Sequence, residues 1–145
     1  MRLTRSSFAL LVTGFAVIPN IAGAAGRSVM VFKDPSCGCC EQWVSYMRSR
    51  GYLVTVRQED DMAAVKRRLG VPVELASCHT AVVDGYVVEG HVPEEAVAKL
   101  LQSRRKIRGI ALPGMPSGSP GMDGPKTGTL RVVRLDAPNQ TFYTF

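Results

Sequence analysis

Apolar and polar positions along this chain follow two periods, and the switches between them mark out its elements. Ser28 to Phe32 is a short apolar, β-branched run that predicts a first strand. Lys33-Asp34-Pro35-Ser36 reads as a turn. Cys40, Trp43, Val44 and Met47 then recur at helical spacing, with Gly51 as a stop. Tyr52 to Val56 returns to alternation, a second strand. Met62, Val65 and Leu69 form the stripe of a second helix closed by Gly70. Val71 to Ser77, with Pro72 inside it, is a connector. Thr80–Val83 and Tyr86–Glu89 flank Asp84-Gly85, and a two-residue Asp-Gly loop between apolar runs predicts a β-hairpin. Pro93 opens a third helix, with Glu94 and Glu95 in the first turn and Val97, Leu100 and Leu101 as its buried stripe. Residues 109–128 hold six glycines and four prolines, which predicts a long loop with no regular element. Leu130–Leu135 and Thr141–Phe145 predict a closing hairpin around Asp136–Gln140. There is no internal repeat.

The resulting order is β-α-β-α-β-β-α, a long loop, then β-β. Its first seven elements match a thioredoxin-like fold. The expected architecture is α/β, a central mixed sheet flanked by helices, extended by the Gly/Pro loop and a C-terminal β-hairpin. That fold puts its reactive pair after the first strand, at the start of the first helix, and brings the start of the third strand beside it. Here that third-strand segment is Ser77-Cys78-His79-Thr80. Thioredoxins carry a cis-proline in this place and this chain has none, so its backbone there is expected to differ.

Length and composition set the frame. A chain of 145 residues, 46% hydrophobic, suits one compact domain with an ordinary core. The first 24 residues stand apart. Arg2 and Arg5 precede a mostly apolar run of eleven residues, Phe8 to Ile18, too short to span a bilayer. Ala22-Gly23-Ala24 then supplies the small residues of a cleavage site. Residues 1–24 are expected to be a secretory signal and residues 25–145 a single thioredoxin-like domain, with no stable membrane insertion after cleavage. Removing that segment takes away two arginines and no acids, so the net charge falls from +6 to +4. So modest a charge, scattered along the chain, does not imply nucleic acid. Arg67-Arg68 and Arg104-Arg105-Lys106 lie at predicted helix ends, where cations favour the exposed carbonyls.

Export changes how the cysteines read. All four, Cys37, Cys39, Cys40 and Cys78, follow the signal. An oxidising compartment favours disulfides, yet three cysteines within four residues make a poor staple. A Cys37–Cys40 bridge closes almost no loop and so stabilises folding little. Clustering without structural benefit points to chemistry. Cys37 and Cys40 have C-x-x-C spacing at a helix start, which favours thiolate. Thiolate is both a redox nucleophile and a metal ligand. A dithiol oxidoreductase needs two cysteines, and this chain offers a third in the same turn and a fourth elsewhere. Soft thiolates select Cu(I), zinc or iron–sulfur clusters. Adjacent cysteines such as Cys39 and Cys40 are awkward on one tetrahedral ion, and thiolates that bridge two metals use the crowding better. Structural zinc normally takes two C-x₂₋₄-C pairs and only one is present, so zinc is disfavoured. His79, His91, Met115 and Met122 are candidate auxiliary donors, since imidazole and thioether both suit copper. Each also has an ordinary use: a hydrogen-bonded or surface histidine, a methionine covering apolar surface.

Four runs carry a family resemblance: Phe32-Lys33-Asp34-Pro35-Ser36-Cys37-Gly38-Cys39-Cys40; Ser77-Cys78-His79-Thr80-Ala81-Val82-Val83-Asp84-Gly85-Tyr86; Glu89-Gly90-His91-Val92-Pro93; and Leu112-Pro113-Gly114-Met115-Pro116 with Gly118-Ser119-Pro120-Gly121-Met122. In that order they resemble the CopG-like periplasmic copper-resistance proteins, which are unrelated to the ribbon-helix-helix repressors sharing the CopG name. The resemblance implies a thioredoxin-like fold, a copper site built from Cys37, Cys39, Cys40 and Cys78, a multinuclear Cu(I) cluster bridged by cysteine sulfur, and a redox role in detoxification. The expected function is periplasmic copper binding, by sequestration or by Cu(I)/Cu(II) cycling with Cys37 and Cys40 as the redox pair. Its partners are copper ions and other periplasmic copper-handling proteins. The competing readings are a thiol–disulfide oxidoreductase acting on exported proteins, and a structural zinc or disulfide-stapled binding module.

Overall fold

The computed structural model of the protein describes residues 26–145. The expected signal segment lies outside the described residues. Strands β1 (Ser28–Lys33), β2 (Leu53–Gln58), β3 (His79–Val83), β4 (Tyr86–Glu89), β5 (Gly109–Ala111), β6 (Arg131–Arg134) and β7 (Ala137–Thr144) form one sheet in the order β2-β1-β3-β4-β5-β6-β7. The sheet is mixed: β1–β2 and β4–β5 run parallel and the other neighbours antiparallel. Three helices join it, α1 (Gly38–Ser49), α2 (Met62–Leu69) and α3 (Glu94–Ser103). The α/β class and the mixed central sheet are as the sequence predicts.

Local chemistry explains most boundaries. The Asp61 side chain accepts a hydrogen bond from Ala64 N at 2.9 Å and caps α2, which ends on Gly70 in the left-handed region. Asp84 and Gly85 both have positive φ, 46° and 82°, as the two-residue turn joining β3 to β4 requires. Cys37 is the N-cap residue of α1, so the cysteine cluster does begin where β1 has ended and a helix starts.

Two expectations need correction. Residues 109–128 are not free of regular structure, because β5 occupies Gly109–Ala111. A Cβ on Gly109 would sit 1.8 Å from the Val87 carbonyl oxygen. The glycine that suggested a loop is what lets this strand press against β4. The closing hairpin also turns earlier than expected, at Leu135-Asp136, and Ala137–Gln140 belong to β7. Pro138 is tolerated there because β7 is an edge strand, and irregular register after Val132 absorbs the misfit.

The period of two divides the sheet's side chains between two cores. Val29 and Val31, Ala81 and Val83, Val88, Ile110 and Val132 face α1 and α3, where they meet Trp43, Val44, Met47, Val97 and Leu100. Their strand neighbours Val87, Ala111 and Val133 face the other way, toward Leu69, Val71 and Leu75. Leu75 lies in a 3-10 turn, Val73–Leu75, inside the expected connector. Among the described residues no helix is long and apolar enough to cross a membrane.

Candidate metal centre

The first half of the site is set by the turn after β1. Asp34 accepts hydrogen bonds from Ser36 N and Ser36 Oγ, and Cys37 N donates to Asp34 O at 3.1 Å. This places Cys37, Cys39 and Cys40 around the first turn of α1. Cys37 and Cys40 are joined by a disulfide, and Cys39 and Cys78 are free. The Lys33 side chain is fully buried beside this turn, its ammonium 3.0 Å from Glu41 Oε1.

The second half comes from β3. Antiparallel pairing puts His79 opposite Lys33 on β1, so Cys78 arrives beside the helix start. Its sulfur lies 3.7 Å from Cys39 Sγ, and Cys39 Sγ is 3.6 Å from Cys37 Sγ. All four sulfurs fall within 4.8 Å of one another. The expected convergence of Cys78 on the three-cysteine turn is present. Burial pushes the Cys78 thiol up to about 12, with the Cys39 thiol beside it adding to the shift. Burial thus keeps the Cys78 thiol protonated at neutral pH.

The candidate auxiliary donors separate. His79 and His91 are both fully buried. Cys78 Sγ is 3.0 Å from His91 Nε2 and 3.4 Å from His79 Nδ1, so Cys78, His79 and His91 form a second convergent set. Burial holds both imidazoles below their ordinary range, and so neutral. Met122 lines a surface cavity of about 370 Å³ together with Gly38, Cys39, Gln42, Gly121 and Asp123. Met115 is 54% exposed, and its neighbour Gly114 is tied to Ser77 through the Ser77 hydroxyl.

The Gly/Pro loop lies across the helix start. Pro120 O accepts from His91 Nδ1 at 2.7 Å. Gly121 has φ +84°, and a Cβ there would meet Trp43 N at 2.6 Å and Cys39 O at 3.1 Å. Only glycine permits so close an approach. Trp43 is buried below, its indole N–H donating to Val92 O at 2.9 Å and its ring 4.6 Å from that of His79.

One group of residues was not singled out from the sequence. Glu89 is fully buried on the α2 side of the sheet. It accepts from Ser77 N at 2.7 Å and Thr80 Oγ1 at 2.6 Å, and pairs with Lys66. Glu89 thus grips the chain on both sides of Cys78-His79. Burial raises its carboxyl above the usual range, against the pull of Lys66. The available signal was a carboxylate inside an apolar strand, a position that demands partners.

A mixed α/β sheet with four cysteine sulfurs gathered at one helix start and two buried imidazoles beside them defines a small protein built around a thiol cluster. Residues 75–122 match the family described as protein of unknown function, DUF411, a span that holds Cys78 and both histidines. Two solved structures of a copper resistance protein CopG are similar over nearly their whole length. Form 1 is 43% identical, with 81% of this chain and 96% of that one covered and a TM-score of 0.74. Form 2 is 42% identical, with 83% and 98% covered and a TM-score of 0.77. No curated protein matches. The chain belongs to the CopG-like copper-resistance family.

Proposed function

We propose that this protein is an exported, periplasmic copper-binding protein that holds Cu(I) as a multinuclear, thiolate-bridged cluster on Cys37, Cys39, Cys40 and Cys78. It acts in copper resistance, by sequestration or by cycling copper between oxidation states. The observation that carries this reading is the position of Cys78 Sγ within 4.8 Å of the other three sulfurs. Cys39 and Cys40 are neighbours in the chain and awkward on one tetrahedral ion, so this crowded set suits thiolates that bridge Cu(I) ions. The family's copper-resistance relatives support the choice of metal. In this reading the signal segment is removed and residues 25–145 are the working domain, meeting copper ions and other periplasmic copper-handling proteins.

The Cys37–Cys40 bridge supplies the redox arm. Closing it from two thiols releases two protons and two electrons, which reduce two Cu(II) to two Cu(I). Reopening it needs a reductant of the dithiol class. The test is Cys39→Ser. Its copper stoichiometry in the reduced state is expected to fall, while the Cys37–Cys40 bridge still forms. Unchanged uptake contradicts a cluster that uses all four sulfurs.

A second reading rests on the same bridge: a thiol–disulfide oxidoreductase acting on exported proteins. Metal-free protein that turns over insulin disulfides with a dithiol donor favours it. No turnover above the uncatalysed rate favours copper binding.

A further inference from the structure

We propose that the face formed by the C-terminal end of α3, the loop before β6 and the edge strand β7 is an adsorption surface for anionic phospholipid headgroups, which holds the protein at a membrane without insertion. The inference goes beyond the copper reading and does not depend on it. It starts from how charge is divided. The net +4 of residues 25–145 combines two unlike parts. Residues 99–145 carry eight basic and two acidic side chains, a net +6, whereas residues 25–98 carry eight basic and ten acidic, a net −2. Asymmetry of this kind, more than the net charge itself, points to an anionic surface as partner.

The fold gathers the basic part. Lys99, Arg104, Arg105, Lys106 and Lys126 are all exposed. Among the described residues none of these five stands in an ion pair, whereas six cations elsewhere do. Helix-end electrostatics explains only part of the set. Arg104, Arg105 and Lys106 follow α3, where cations favour the last carbonyls. Lys99 lies inside the helix and Lys126 in the Gly/Pro loop. Arg104 takes φ +44°, a left-handed position that glycine fills with least strain, and the chain places a cation there instead.

Strand β7 aligns these cations. Phe142, Tyr143 and Phe145 all pack on the α3 side of the sheet, Phe142 buried and the other two half-buried. Lys99 Nζ lies 5.6 Å from the ring centroids of both Phe142 and Tyr143. Arg105 Cζ is 5.7 Å from that of Phe142, and Lys126 Nζ 5.3 Å from that of Phe145. Tyr143 and Phe145 stack with centroids 6.4 Å apart. Each cation is steered by a ring face and keeps donors free for a phosphate. Cations beside half-buried aromatic rings are the composition of a membrane interface, where the charges meet phosphates and the rings sit at headgroup level. An acidic strand from another protein fits less well. Strand β7 carries Pro138 and a broken register, devices by which an edge resists strand addition. Cavities of about 370 and 170 Å³ lie elsewhere, at the start of α1 and beside α2.

The test is co-sedimentation of residues 25–145, which hold every described strand and helix, with lipid vesicles at low salt. Metal-free protein is used, so the outcome is separate from that of the copper reading. Vesicles of equimolar phosphatidylglycerol and phosphatidylcholine are expected to carry the protein down, and phosphatidylcholine alone to leave it in solution. Each cation near an anionic surface strengthens adsorption about fivefold, so Lys99→Gln, Arg105→Gln and Lys126→Gln together are expected to weaken it roughly a hundredfold. Arg57→Gln, Arg67→Gln and Arg68→Gln together remove the same charge around α2 and Phe32. They are expected to weaken adsorption by no more than about fivefold. Arg104→Gln with Lys106→Gln disturbs none of the ring contacts and guards against a misfolded triple variant; its expected loss is roughly twenty-five-fold. No adsorption to the phosphatidylglycerol vesicles, or equal losses from the two triple variants, overturns the assignment. So does binding of polyglutamate in preference to the vesicles, which gives the face to an acidic protein partner.

Discussion

Residues acquire different chemistry here from small differences in placement. Cys39 lines the surface cavity, whereas burial and the neighbouring Cys39 thiol raise the Cys78 thiol to about 12. The thiolate is the nucleophile, so the two free thiols should differ in reactivity. In bridged, metal-free protein at pH 8, iodoacetamide is expected to label Cys39 well before Cys78, with Cys78 accelerating as the pH approaches 12. Peptide mass spectrometry over a time course checks this, and equal rates contradict the raised Cys78 thiol. The cysteines were legible from spacing alone, because three thiols in four residues have no structural use. The role of His91 was much less so. Its ring is aimed by the Pro120 carbonyl, a main-chain atom from a loop 29 residues away, and no periodicity reports such a contact.

Elements divide the work between the two faces of the sheet. The α1 side carries the sulfurs and imidazoles, and the α2 side holds Glu89, Lys66 and Thr80, which fix the strand around Cys78. The Glu89 carboxyl is raised in the folded protein, so the folded state binds that proton more tightly than the unfolded chain does. Its contribution to stability is then full below about pH 4.5, the ordinary glutamate value, and declines as pH rises through the raised folded value. Glu89→Gln mimics the protonated group at every pH. Urea unfolding of metal-free protein from pH 4 to 8 should show the stability difference moving in favour of the variant as pH rises. Movement the other way would mean that the Lys66 ion pair outweighs desolvation. Most elements were readable in the sequence because their stripes, caps and the Asp-Gly turn agree. Strand β5 and the start of β7 were not. Gly109 and Pro138 are loop residues by propensity, and tertiary pairing overrides them: one by close approach to Val87, the other by lying on an edge.

At the scale of the whole molecule, topology does what local sequence cannot. Cys39 and Cys78 stand 39 positions apart, and pairing of β1 with β3 brings their sulfurs to 3.7 Å. The expected element order carried that convergence, since a third strand laid beside the first must deliver its start to the head of α1. The loop after β5 then crosses the same corner, and its Pro120-Gly121-Met122 stretch covers the helix start. The same architecture therefore offers thiols, imidazoles and a cover at one corner of the sheet. The most direct measurement is an anaerobic Cu(I) titration of the fully reduced protein, with metal quantification and copper X-ray absorption at saturation. A thiolate-bridged cluster predicts more than one Cu(I) per chain, a first shell dominated by sulfur, and a copper neighbour to each copper. Saturation at a single ion with no copper neighbour would contradict it.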